Sequence, residues 1–234
     1  MRTKTYLYRL ALVGLFLIST GISVADEAII NTGDDVELCE PFLEGRVDGP
    51  LIDTMLIAAE QGHLYRIQKS TSRMGFCVQS TLSKIKGEFK DFQGGLALQP
   101  VASSDGLAMV VIKTDSVDVK GRLIENMVKG ESFFDVDHHP EILFVSKSFE
   151  WTGKDRAVLK GDLTLRGITR PVVFDVTLTS IDGTWTDKAE KILVKATTSI
   201  ERTAFGMKAL SSMVDDTVTL CMSVEALKYK PDNA

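Results

Sequence analysis

From His63 onward, apolar and polar side chains alternate with a period of two over run after run, the pattern of strands that bury one face. Glu131 to Leu178 carries three such runs in succession, Ile142 to Phe149, Ala157 to Leu165 and Val172 to Leu178. They are rich in β-branched and aromatic residues, and Gly153, Gly161, Gly167 and Pro171 punctuate them. Ahead of them lie Leu64 to Ile67, then Met74, Phe76 and Val78 alternating with Arg73, Gly75, Cys77 and Gln79, then Ile85 to Phe92 and Leu96 to Leu98. Leu107 to Val119 follows, apolar on both faces at its start, as suits a strand covered on each side. Behind them come Lys191 to Glu201 and Thr217 to Leu227, the second with Val218, Leu220, Met222, Val224 and Ala226 on one face. Two stretches break the alternation. GPLIDTMLIAAEQG places Pro50 in a first helical turn, stacks Leu51, Ile52, Met55, Leu56 and Ala59 on one face and stops at Gly62. Between Lys120 and Glu131, Leu123, Ile124, Met127 and Val128 fall at helical spacing, which predicts a crossing helix of two or three turns. Short strands with turn signals and few helices predict an antiparallel sandwich or barrel, and only closure removes the exposed edges.

Composition changes this picture little: 234 residues, 44% hydrophobic and 25% charged, suit one main domain with a substantial core. The N-terminus changes it more. Arg2, Lys4 and Arg9 precede an apolar run from Leu10 to Ile18, and Ser23-Val24-Ala25 offers the small residues that a signal peptidase reads, so residues 1–25 read as a signal peptide cleaved after Ala25. The run is well short of the roughly 18 to 20 residues that span a bilayer, so no stable membrane anchor is expected. Cleavage would lower the 27 basic residues to 24 against 32 acidic ones, a formal charge of -8 that repels phosphate backbones and argues against nucleic acid as a partner. In an oxidising, periplasmic compartment two of Cys39, Cys77 and Cys221 can pair, and spacing alone does not choose which. Residues 26–62 read as an acidic extension that ends in the short amphipathic helix, and residues 63–230 as the barrel domain.

Catalytic chemistry is sparse. Of His63, His138 and His139, the last two sit side by side before Pro140, where turn geometry points neighbours apart. There is no GxSxG, HExxH, phosphate-cradling glycine loop or dinucleotide fingerprint. Ser146, Ser148 and Thr164 are strand hydroxyls without an evident base, so neither an enzyme nor a cofactor or metal site is expected. The abundant Phe, Leu, Val, Ile and Met fit two outcomes, a tight barrel filled by its own side chains or a wider one lined as an apolar tunnel.

Several motifs in order carry a resemblance. These are Tyr65-Arg66-Ile67, TSRMGFCV (Thr71 to Val78), GEFKDFQG (Gly87 to Gly94), DSVDV (Asp115 to Val119), SFFDVDHHPEILFVS (Ser132 to Ser146), GDLTLRGITRPVVFDV (Gly161 to Val176) and ERTAFGM (Glu201 to Met207). In them the chain resembles the YceI-like family of exported lipid-binding proteins. The resemblance implies an all-β fold, an extended lipocalin-like antiparallel β-barrel of about 8–10 strands with one or two short helices. It also implies a tunnel for a long apolar lipid of polyisoprenoid, isoprenoid quinone or fatty-acid type, held without catalysis. With a tunnel implied, the alternation nominates its lining as Phe76, Val78, Phe89, Met109, Val111, Ile142, Phe144, Leu163, Leu165, Val172 and Phe174, with Phe133, Phe134 and Phe205 as barrel-end plugs. At Ser80-Thr81, and at Glu125 and Met127, the chain departs from polar residues that many relatives carry. A homodimer stays open. The competing expectation is a non-catalytic envelope stress or interaction protein that uses the extension and the barrel rim.

Overall fold

The computed structural model describes residues 49–98, 106–180, 183–184, 186 and 188–230. The expected signal peptide, most of the extension and Cys39 lie outside the described residues. The elements run α1 (Gly49–Glu60), β1 (Leu64–Ile67), β2 (Arg73–Ser80), β3 (Lys84–Phe89), β4 (Phe92–Ala97), β5 (Leu107–Lys113) and β6 (Val117–Val119). They continue with α2 (Arg122–Lys129), β7 (Glu141–Trp151), β8 (Arg156–Leu165), β9 (Ile168–Ser180), the short β10 (Gly183–Thr184), β11 (Lys191–Glu201) and β12 (Val214–Lys228). The all-β expectation holds, with 12 strands in one antiparallel sheet.

The sheet closes on itself in the order β1-β4-β5-β7-β8-β9-β11-β12, because β12 pairs β1 as well as β11. Its length makes this closure work. The C-terminal part of β12 pairs β1 (Tyr65 with Lys228), while its middle pairs β2 (Met74 with Met222). In the same way β4 and β3 pair β1 and β2, and β5 and β6 pair β4 and β3. Three wall positions are therefore single long strands broken at one level, at residues 68–72, 90–91 and 114–116. The breaks are tied together: Lys90 N and Lys113 N donate to Ser116 O and Asp91 O at 3.1 and 3.0 Å, and Asp91 N donates to Ser116 Oγ at 3.0 Å. The sequence pattern runs two of these strands straight through their breaks, as Ile85 to Phe92 and Leu107 to Val119.

Beyond the breaks the wall is incomplete, and this positions the candidate site. β7 begins at Glu141 opposite Lys113, so β6 pairs β3 but has no β7 partner. The chain from Gly121 to Pro140, with α2 and its following turns, occupies that side instead.

At the other end α1 packs on the outside of the barrel. Met55, Ala58 and Ala59 are buried with Leu64, Ala97, Met109, Val111 and Tyr229. Leu56, expected on the packed face, is exposed together with Ile57. This packing corrects the assignment of Met109 and Val111 as tunnel lining. β5 is apolar on both faces because α1 covers its outer one, so alternation gave no sign of which set points inward.

Candidate functional site

The barrel interior, from the level of the strand breaks toward the end that α2 covers, encloses an apolar cavity of about 120 Å³. Its walls are Met74, Phe76 and Val78 from β2, Ile85 and Phe89 from β3, and Val110 and Ile112 from β5. Ile142 and Phe144 from β7, Leu163 and Leu165 from β8, and Phe174 from β9 face them, with Ile200 of β11 and Val214, Val218, Leu220 and Met222 of β12 completing the ring. Met127 and Val128 of α2, with Phe133 and Phe134 after it, close the side where β7 is missing. Three rings form the plug: Phe134 meets Phe76 and Phe89 edge-on at centroid distances of 5.6 and 5.5 Å, and Phe76 and Phe89 lie 6.0 Å apart. Gly87 makes room for this cluster, since a Cβ there would stand 2.4 Å from the Phe76 ring.

Eight of the eleven nominated side chains, Phe76, Val78, Phe89, Ile142, Phe144, Leu163, Leu165 and Phe174, border this cavity. Val172 is buried in the same core without reaching the cavity. Met109 and Val111 face α1. Of the nominated plugs, Phe133 and Phe134 border the cavity and Phe205 is 2% exposed in the core. The residues that sequence reading missed include Val110 and Ile112, the other phase of β5. Val218, Leu220 and Met222 were also missed, although their shared face was visible in the sequence.

The polar exception in the lining is Arg202, which is 2% exposed. Its Nε donates to Asp215 O at 2.9 Å, Nη1 to Ala209 O at 2.8 Å and to Met207 O at 2.5 Å, and Nη2 to Val214 O at 2.9 Å. The guanidinium therefore organises the turn from Met207 to Asp215. Alongside it, Asp216 accepts from Thr203 N and Oγ1 at 2.8 and 2.7 Å, and these bonds hold its carboxyl below the usual carboxylate range.

The turn that carries Phe133 and Phe134 is pinned from two sides. Arg166 Nη1 donates to Glu131 O at 2.8 Å and to Phe133 O. Asp135, at a left-handed φ of 52°, accepts from His138 Nδ1 at 2.8 Å and lies 3.8 Å from His139 Nε2. The bond from His138 holds the Asp135 carboxyl below its ordinary value of 3.8, against the opposing effect of burial. The same bond, helped by the charges of Asp135, Asp137 and Glu131, raises His138 above its ordinary 6.5. The stability from Asp135 is present above its unfolded value and is lost as pH falls through the depressed folded one. That from His138 is complete below its unfolded value and is lost as pH rises through the raised folded one. The turn is thus tightest between about pH 4 and pH 6.5. Asp135→Asn is expected to shrink the gap in thermal midpoint between about pH 5 and about pH 8, and an unchanged gap would assign that pH dependence elsewhere.

His63 lies at the α1–β1 turn, where its carbonyl accepts from Leu98 N, while the His139 carbonyl accepts from Thr114 Oγ1 at the far end of β5. The histidines therefore do not converge. Among the described residues no group of three or more His, Cys, Asp or Glu is placed to hold a metal ion. Cys77 and Cys221 are free thiols on adjacent strands, opposite Thr219 and Gly75. The Cys221 thiol is pushed up by burial and by its neighbour Cys77. Among the described residues no helix is long and apolar enough to cross a membrane.

Comparison with known proteins decides the family. The profile of the YceI-like domain matches residues 65–226. The chain belongs to the YceI-like family. A UPF0312 protein of Pseudomonas putida strain W619 is 33% identical over 148 residues, covering 63% of this chain and 76% of the relative. Among solved structures, BcnA of Burkholderia cenocepacia superposes with a TM-score of 0.62 at 21% identity, over 68% of this chain and 98% of its own. A polyisoprenoid-binding domain of Saccharophagus degradans, described as implicated in plant cell wall breakdown, gives 0.54 at 14% identity, over 70% and 98%. The YceI protein of Campylobacter jejuni gives 0.52 at 26% identity, over 60% and 83%.

Proposed function

We propose that this protein is a periplasmic carrier, exported by a cleaved N-terminal signal, that holds a long apolar lipid of polyisoprenoid, isoprenoid quinone or fatty-acid type and catalyses no reaction. The observation that carries this reading is the cavity. Its lining is apolar except for one buried cation whose donors are taken up by backbone carbonyls, and it is closed on one side by a helix and a pinned turn instead of a strand. The polyisoprenoid-binding relative with the same fold supports the ligand class.

Size sets a condition on the mechanism. A cavity of about 120 Å³ compares with the roughly 150 Å³ that accepts benzene, so a long chain enters only if the plug rings move aside. Each methylene then buried contributes about 0.8 kcal/mol before ordering costs, which favours length over head-group detail. The same compartment would let Cys39 pair with Cys77 or Cys221, which peptide mapping without reductant would detect.

The test is to purify the full chain from cells that export it, extract it with organic solvent and analyse the extract by mass spectrometry. A stoichiometric isoprenoid or fatty-acid species is expected. Recovery of no lipid, together with no uptake of a fluorescent fatty acid, would refute the carrier reading.

A further inference from the structure

Nine large apolar side chains are exposed among the described residues, and five of them, Leu82, Leu123, Met127, Leu210 and Met213, lie at the cavity end of the barrel. The register places them together. Leu82 occupies the β2–β3 turn, and its neighbour Thr81 N donates to Met213 O at 2.9 Å, which joins that turn to the one preceding β12. Met213 N in turn donates to Leu210 O at 2.9 Å. On the other side, β6 runs antiparallel to β3 with Val119 opposite Gly87, so the chain leaving β6 enters α2 beside the start of β3. Leu123 and Met127 are one helical turn apart on α2, and Met127 also borders the cavity.

An isolated exposed leucine needs no explanation, whereas a group around the mouth of an apolar cavity does. Leu82 and Leu123 are 88% and 84% exposed, nearly as open as side chains can be. Leu210 is held at a left-handed φ of 53°, in the turn that buried Arg202 fastens through Ala209 O and Val214 O. Around these residues stand Lys84, Arg122 and Lys208, all exposed and none in an ion pair among the described residues. Of the carboxylates nearby, Glu125 is paired with Lys129, whereas Asp216 is held by the uncharged Thr203, and Asp215, Glu131 and Asp137 are exposed, so the apolar tips carry the docking and the three cations offset these acids against an anionic surface. Apolar tips flanked by unpaired cations match the apolar interior and negative surface of an anionic bilayer.

We propose that this rim docks the barrel mouth onto the surface of an anionic phospholipid membrane, so that the cavity opens against the bilayer where its lipid is taken up or delivered. The proposal rests on the carrier reading and names the partner of the same cavity. α2 and the Phe133–Phe134 turn, which lie in the gap of the wall, are then at the docked face.

The test uses the full chain as exporting cells process it, floated with phosphatidylethanolamine vesicles containing about one-quarter phosphatidylglycerol. The N-terminal segment is common to all variants, so differences between them report on the rim. Leu82→Asp combined with Leu123→Asp, both at exposed positions, is expected to lower the partition coefficient about tenfold. Val173→Asp, an exposed apolar site on the barrel wall, is expected to leave it unchanged. Raising salt from about 0.1 to about 1 M, which shortens the screening length from about 10 to 3 Å, is expected to weaken binding severalfold. Equal partitioning of wild type and the double variant overturns the proposal. So does a self-association that the double variant abolishes without any vesicle binding, which would assign the rim to a protein contact. Lipid extraction keeps the two readings separate: bound lipid with rim-independent partitioning leaves the carrier standing and removes the docking.

Discussion

Arg202→Met is expected to lower the unfolding free energy by about 3–5 kcal/mol, among the larger effects of a single substitution in this fold. The guanidinium is 2% exposed and spends its donors on four carbonyls, of Met207, Ala209, Val214 and Asp215. Methionine fills a similar path with no donor, so each carbonyl must find water or stay unpaired at roughly 1–3 kcal/mol. Two of these bonds are only partly buried, and water reaching them keeps the total below the simple sum. Arg202→Lys retains the charge but not the planar fork, so it should recover part of the loss. In urea the midpoint should fall with little change in slope, and the thermal midpoint should drop by about 10 °C for a domain of this size. A methionine variant within about 1 kcal/mol of wild type would show that the Met207–Asp215 turn holds itself without the cation.

Alternation did not reach Arg202, which stood in the sequence only inside the motif Glu201 to Met207 that carries the family resemblance, and the reason is physical. Its partners are backbone carbonyls along a turn, which any residue types supply, so nothing in the neighbouring side chains announces a buried cation. The wall was far more legible. Ile142 and Phe144, or Leu163 and Leu165, alternate with polar residues, and burial of one face fixes their direction. The register slip between Ser146 and Ser148 then shifts the phase, which is why Phe149 faces the core from an odd-numbered position after Ile142 and Phe144 from even ones. Where both faces are apolar the signal vanishes. β5 reads Leu107-Ala108-Met109-Val110-Val111-Ile112, and the packing of α1 decides that Val110 and Ile112 reach the cavity while Met109 and Val111 do not. The breaks at 90–91 and 114–116 were equally hidden, because strand-forming residues stand on either side of each, whereas the polar run at 68–72 separated β1 from β2 in the sequence. The missing partner of β6 is a property of topology and has no local sequence mark.

Two cavity variants are expected to move lipid affinity in opposite directions, and the opposition is what makes them informative. Val218→Trp adds a large ring at a position that is 8% exposed, lines the cavity and pairs with Val78. Displacing about three methylenes of ligand would cost about 2 kcal/mol, roughly a 30-fold rise in Kd, alongside an overpacking penalty of about 1–3 kcal/mol in stability. Phe134→Ala removes the ring that Phe76 and Phe89 meet edge-on, leaving a void that lowers stability by about 3–5 kcal/mol without ligand. A lipid chain can occupy that void without first displacing a ring, so its uptake should be faster and its Kd lower, and binding should return part of the lost stability. Titration of a fluorescent fatty acid, with thermal midpoints measured in its presence and absence, follows both changes. If Val218→Trp and Phe134→Ala shifted affinity in the same direction, ligand and plug could not be competing for one space, and the binding site would lie outside the barrel.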